Sequence, residues 1–254
     1  MGKIKIALLH LLPIAGDVEY NQKLIEQAIQ IASNNNAEWI ITPELCVSGL
    51  QFNHKIGTEW INRQPDAWMS NLSRKLKNLK STVFLGCPEK GSNGELYNSV
   101  LVIDKNGHLL GKQRKISVID DWSASGDVYV IEPIKTDNIE VGIMICADAY
   151  TKDIANNLFE KGAKILIAPS SWGPGLHGPE GEWEQRSLET GLPVIVCNRT
   201  GEDETVRFWD AESMIIKNGV PLLTHKSKQS AVLTFEWDIQ SMELISPHFD
   251  IDYI

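Results

Sequence analysis

Two periods of apolar positions alternate along the chain, and most of its elements follow from them. Lys3 to Leu9 is apolar enough for a buried strand. Tyr20 to Ser33 follows, with Leu24, Ile25, Ala28, Ile29 and Ala32 spaced to share one helical face before Asn34, Asn35 and Asn36 end it. Trp39 to Thr42 predicts a second strand. Pro65 to Lys80 predicts a helix with Trp68, Leu72, Leu76 and Leu79 in register, and Thr82 to Cys87 a third strand. Asn93-Gly94 and Asn106-Gly107 are hairpin signals flanking a strand from Asn98 to Ile103, and His108 to Gln113 continues that sheet.

The second half repeats the alternation. Ile139 to Ile145 is a β-branched apolar run, and Thr151 to Lys161 places Ile154, Leu158 and Phe159 on one helical face. Lys164 to Ala168 and Val194 to Cys197 predict buried strands, with a helix from Glu180 to Thr190 stopped by Gly191 and Pro193. Ser213 to Thr224 reads as a hairpin turning at Asn218-Gly219, and Ala231 to Phe235 is the last clear strand. Strands alternate with helices in the flanks while hairpins fill parts of the middle and end, so the expected fold class is α/β, layered, with mixed sheets. No repeat, low-complexity tract or linker divides residues 1–254, which predicts a single domain.

Composition narrows the function classes. Hydrophobic content of 43% and charged content of 22% are those of an ordinary globular protein. A net charge of -9 argues against nucleic acid or an anionic membrane surface as partner. No apolar run has membrane-spanning length, and the first apolar segment is too short and too charged for a signal peptide. Four scattered cysteines without a C-x-x-C pair suit a reducing cytoplasm. The six histidines form neither an H-E-x-x-H motif nor a close cluster, so neither metal nor cofactor is expected.

Candidate chemistry lies at three predicted strand ends: Glu44, Lys115 and Cys146. Cys146 stands where a strand hands over to a helix, a place where the helix dipole favours a thiolate. It also reads as a small buried residue capping a strand. Glu44 alone is a loop carboxylate, and Lys115 alone a surface lysine of a basic cluster. Together they make a coherent set. A carboxylate takes the thiol proton, the thiolate attacks an acyl carbon, and an ammonium neutralises the oxyanion.

Pro43-Glu44-Leu45-Cys46-Val47-Ser48-Gly49, then Gly111 to Lys115, then Gly142 to Asp148 resemble, in order, the three motif blocks of the nitrilase superfamily, the carbon–nitrogen hydrolases. The resemblance continues through Gly162 to Trp172, Trp183 to Arg186 and Val194 to Gly201, and on to Glu212-Ser213. It implies Glu44 as general base, Lys115 as oxyanion stabiliser, Cys146 as nucleophile and the backbone N–H of Ala147 as second oxyanion donor. It implies an α-β-β-α sandwich whose members pair into homodimers or larger assemblies through helices beside the nucleophile. The implied substrate is a small linear amide or N-carbamoyl compound. Nitrilases proper carry Trp-Glu after the cysteine where this chain has Ala147-Asp148, which favours amides over nitriles. Nitrile hydrolysis or acyl transfer on the same site, and a non-catalytic binding relative, remain alternatives.

Departures from the family pattern bear on the substrate. The loop after Lys115 lacks the family's further glutamate, and Asp120 or Asp121 are the carboxylates there. Ser117 stands where a histidine is common, and Ala147 where an aromatic is common. Asp121, Trp122, Trp172, His177 and Trp209 are the candidate pocket residues, although the aromatics read equally as packing. Asp148 reads as a structural anchor, and Arg186 with Glu189 as an i,i+3 ion pair.

Overall fold

The computed structural model describes residues 2–137 and 139–254. Its first half comprises β1 (Lys3–His10), α1 (Val18–Asn34), β2 (Trp39–Ile41), α2 (Asn53–Ile56), α3 (Ala67–Leu79), β3 (Thr82–Lys90), β4 (Leu96–Ile103) and β5 (Leu109–Arg114). The second half comprises β6 (Ile134–Thr136), β7 (Ile139–Ile143), α4 (Lys152–Glu160), β8 (Ile165–Pro169), α5 (Glu182–Thr190) and β9 (Val194–Cys197). It closes with β10 (Ser213–Lys217), β11 (Val220–His225), β12 (Ala231–Asp238), β13 (Glu243–Leu244) and β14 (Asp250–Tyr253).

These strands form two sheets. One runs β13-β12-β1-β2-β3-β4-β5, with β14 on the free side of β12, and the other runs β11-β10-β9-β8-β7-β6. Side chains alternate faces along a strand, and β1 shows how the layers are built. Ile4, Ile6 and Leu8 join the core between the sheets, while Ala7 and Leu9 pack with Leu24, Ile25 and Ala28 of α1 and Leu72 and Leu76 of α3. On the far side Ile154, Ala155 and Leu158 of α4 and Trp183 of α5 close over the second sheet. The layers are therefore α-β-β-α, as the motif resemblance implied.

Local chemistry sets the helix starts. The Asp17 side chain accepts the N–H of Tyr20 at α1, and that of Asp66 accepts the N–H of Met69 at α3, each meeting a donor the first turn leaves free. The cap at Asp66 is why α3 begins at Ala67, two residues after the expected Pro65. Four elements had no sequence signal. α2, β6 and β13 are too short to express a period, and all four residues of β14 are exposed.

Strand direction positions the site. β1, β2 and β3 run parallel, β4 reverses and β5 reverses again, so β2 and β5 end on the same side. β7, β8 and β9 are parallel to one another. The segments leaving β2, β5, β7 and β8 meet at one cavity.

Candidate active site

Glu44 leaves β2 in a segment still tied to β3. Thr42 N–H bonds the Phe84 carbonyl at 3.0 Å, and its hydroxyl accepts the Gly86 N–H at 2.9 Å. Gly86 lies so close beneath that a Cβ there would come within 2.2 Å of the Pro43 carbonyl oxygen. This close approach holds the Glu44 carboxylate inward and fully buried.

Lys115 continues the β4–β5 ladder one residue beyond β5, its N–H bonding the Asn98 carbonyl at 2.8 Å. Lys115 and Asn98 therefore stand side by side, and both reach Glu44 Oε1. The lysine Nζ donates at 2.6 Å and the Asn98 Nδ2 at 2.8 Å. Glu44 Oε2 accepts the Ser171 N–H at 3.1 Å, and the Ser171 hydroxyl donates to the Glu44 carbonyl at 2.9 Å. Burial works against the lysine's charge, but the neighbouring Glu44 carboxylate, which also accepts its hydrogen bond, holds the ammonium well above its ordinary pKa.

Cys146 follows β7. Met144 N–H still bonds the Ile167 carbonyl of β8, after which the chain turns into a 3-10 turn over Cys146–Tyr150. Cys146 has φ of +51°, a left-handed conformation that non-glycine residues rarely adopt and that occurs where a side chain must be presented sharply. The expected thiolate is overturned. α4 begins only at Lys152, so its N-terminus is not at the sulfur. Burial, with the Glu44 carboxylate next in weight, pushes the thiol well above its ordinary pKa, against the opposing pull of Lys115. Cys146 rests as a neutral thiol beside a buried carboxylate.

Asp148 joins the nucleophile turn to the lysine loop. One oxygen accepts the N–H groups of Ile116 and Ser117 at 2.9 and 2.7 Å, and the other accepts the Ile145 N–H at 2.9 Å. Burial raises its carboxyl to about 6 against those donors. Arg186 of α5 steadies the far end of the turn, donating to the Ala149 carbonyl at 2.9 Å while pairing with Glu189. Ser117 bonds Thr151 at 3.0 Å through its hydroxyl.

Glu44, Lys115, Cys146 and Ala147 line a cavity of about 590 Å³ together with Asp120, Trp172 and His177. A larger cleft of about 730 Å³ lies beside β5 and β6 but contains none of the three catalytic candidates, so chemistry rather than size identifies the site. Three expected pocket residues stand elsewhere. Asp121 meets Asn53 at 3.4 Å on the exposed side, and Trp122 packs edge-on against Phe52 in a separate apolar cluster. Trp209 sits under Lys228, 5.1 Å from its ring centre. Asp120 and Arg207 line the cavity instead. Asp120 is half-buried, its carboxyl raised by burial and by Glu44 and drawn back by Lys115. Asn98, which carries no sequence signal beyond strand polarity, and Ser171, which lies within the Gly162–Trp172 block without being singled out there, both hydrogen-bond to Glu44. Among the described residues no group of three or more His, Cys, Asp or Glu side chains is arranged to hold a metal ion.

Comparison with known proteins agrees with this fold. The carbon-nitrogen hydrolase family model matches residues 5–245. A Schizosaccharomyces pombe protein named "Probable nitrilase C965.09" is 26% identical, the match covering 97% of this chain and 93% of that one. "Omega-amidase NIT2-A" of Xenopus laevis is 24% identical over 99% of this chain and 94% of its own length. The crystal structure of Saccharomyces cerevisiae Nit3, a member of branch 10 of the nitrilase superfamily, aligns with a TM-score of 0.81 at 21% identity, covering 94% of this chain and 93% of that one. The fold is that of the nitrilase superfamily, and the chain belongs to the carbon–nitrogen hydrolase family.

Proposed function

We propose that this protein hydrolyses the C–N bond of a small linear amide or N-carbamoyl compound through a thioester on Cys146. The observation carrying this reading is the convergence of Glu44, Lys115 and Cys146 on one cavity, with the carboxylate and ammonium 2.6 Å apart. A neutral thiol needs its proton removed as attack begins, and Glu44 is the buried base beside it. The sulfur adds to the carbonyl carbon, and the oxyanion is met by the Lys115 ammonium and the Ala147 N–H. Collapse breaks the C–N bond, and Glu44 returns the proton to the leaving ammonia or amine. Water, deprotonated by Glu44, then opens the thioester to the acid and restores the thiol.

Asp120, rather than Asp121, supplies the second carboxylate of the site, because it lines the cavity and interacts with Lys115. Ala147-Asp148 after the nucleophile supports amides over nitriles, by the family contrast above. The chain works as one domain and as a homodimer through α4 and α5, whose Phe159 and Leu188 are 48% and 66% exposed. Four unpaired cysteines suit a cytoplasmic setting.

The test is ammonia release from a panel of linear amides, ω-amides and N-carbamoyl compounds, with Cys146→Ala as control and intact-mass detection of an acyl adduct. Release that disappears in the variant is the expected result. An adduct that yields product only when an amine is added would convert the reading to acyl transfer. Neither release nor adduct with any compound would overturn it in favour of a binding role.

A further inference from the structure

The two oxygens of Glu44 are served differently. Oε1 accepts from both the Lys115 Nζ at 2.6 Å and the Asn98 Nδ2 at 2.8 Å, which fills the two lone pairs of a carboxylate oxygen. Oε2 accepts the Ser171 N–H at 3.1 Å. That N–H also favours negative charge on the Cys146 sulfur, so Oε2 and the sulfur share a donor and lie on the same side of the carboxylate. Oε2 is therefore the oxygen left to take a proton from the thiol.

Asn98 is built into this arrangement. Side chains alternate along β4: Ser99 turns to Glu89, its hydroxyl donating at 2.9 Å, and Asn98 turns the other way to Glu44. The Asn98 backbone is fixed by pairing with Pro88 of β3 and by the bond from the Lys115 N–H. The residue is 1% exposed and outside the cavity lining. Its amide can face Oε1 only through nitrogen, since its oxygen would oppose another oxygen. That orientation leaves Oδ1 buried without a hydrogen-bond partner among the described residues. A buried polar atom left unpaired destabilises the fold, and the contact with Glu44 is what this orientation secures.

We infer that Asn98 is a positioning residue that keeps Glu44 Oε1 occupied and so makes Oε2 the proton carrier of the reaction. The S–H bond of Cys146 breaks as the S–C bond forms, and its proton passes to Oε2. The same proton moves to the leaving nitrogen as the C–N bond breaks. Lys115 cannot hold Oε1 alone through these steps, because its ammonium is drawn towards the developing oxyanion. Asn98 has no second task and stays on Oε1 throughout. This assignment rests on the hydrolase reading above and specifies how its base is aimed.

Two variants of similar shape test it, assayed by ammonia release from an amide that the wild type turns over and Cys146→Ala does not. Asn98→Leu removes the donor together with the unpaired oxygen. Thermal melting should hold while kcat falls about 10–100-fold and KM stays within about twofold. Asn98→Asp presents an oxygen to Oε1 when ionised and an O–H donor when protonated. Its activity relative to wild type should be lowest near about pH 8 and climb towards about pH 6, because two carboxyls sharing a buried site hold one proton to high pH. A residue that only packs would leave kcat and its pH profile unchanged in both. The Asn98 side-chain amide signals, identified by NMR through their loss in Asn98→Asp, should also shift in Glu44→Gln. Kinetics of both variants within about twofold of wild type across this pH range, or amide signals unmoved by Glu44→Gln, would overturn the assignment and leave the hydrolase reading standing. No Cys146-dependent release from any amide by the wild type would overturn the hydrolase reading, and the assignment with it.

Discussion

Replacing Asp148 with asparagine tests whether this residue acts on stability or on the placement of Lys115. The carboxylate accepts three N–H groups, two from the lysine loop and one from Ile145, and is fully buried. Its carboxyl is raised from 3.8 to about 6 by burial. A shift of roughly two units makes the ionised form cost about 3 kcal/mol in the folded protein. Asparagine removes that cost. Its amide oxygen can keep the Ile116 and Ser117 N–H groups, but its NH2 then faces the Ile145 N–H, donor against donor, a penalty of about 1–3 kcal/mol. The two effects oppose each other, so stability at pH 7.5 should change by less than about 2 kcal/mol.

The pH dependence has a definite sign. The folded carboxyl keeps its proton to higher pH than the unfolded one, so its contribution to stability is greatest below about pH 4 and declines as pH rises towards 6. Asparagine abolishes that decline, and urea denaturation at pH 4.5, 6 and 7.5 should show the wild type losing ground to the variant over this range. Activity should fall despite retained stability, because a shift of the lysine loop near 1 Å can cost about 100-fold. A kcat/KM within twofold of wild type would refute the positioning role. A variant losing more than about 4 kcal/mol at pH 7.5 would refute the balance of terms.

Two further outcomes follow from the same geometry. Glu44→Gln should lower turnover by about 10²–10⁴-fold as the base is lost. It should also lower the pH at which thiolate absorbance of Cys146 appears, because the carboxylate raises the thiol pKa while Lys115 lowers it; an unchanged or higher titration point would contradict that electrostatic order. Gly86→Ala, far from solvent and without chemistry of its own, should cost about 1–3 kcal/mol and reduce activity, since its methyl would displace the Pro43 carbonyl behind Glu44. Unchanged thermal melting and kinetics would show that the 43–45 segment moves freely.

Much of the frame is local and therefore legible in the sequence. α1 and α3 are amphipathic and capped, β1, β7, β8 and β9 are buried apolar runs, and the Asn-Gly turns bound β4 and β5. Short or wholly exposed strands such as β6 and β14 were invisible because pairing partners, not periodicity, create them. Glu44, Lys115 and Cys146 could be singled out because each ends a recognisable strand within a family motif.

The set of strands and the residues delivered at their ends follow from local patterns along the chain. Tertiary structure decided how those ends behave. Asn98 and Lys115 share Glu44 because the β4–β5 register sets them side by side, and register spans residues far apart in sequence. The thiol is neutral, not ionised, because burial and the Glu44 charge act at the sulfur while the helix dipole does not reach it. Asp120 and Arg207 line the cavity while the nearby Asp121 and Trp209 do not, since loop residues lack the periodicity that tells inside from outside. Desolvation and charge coupling are properties of the assembled surroundings, and only the folded chain brings those surroundings together.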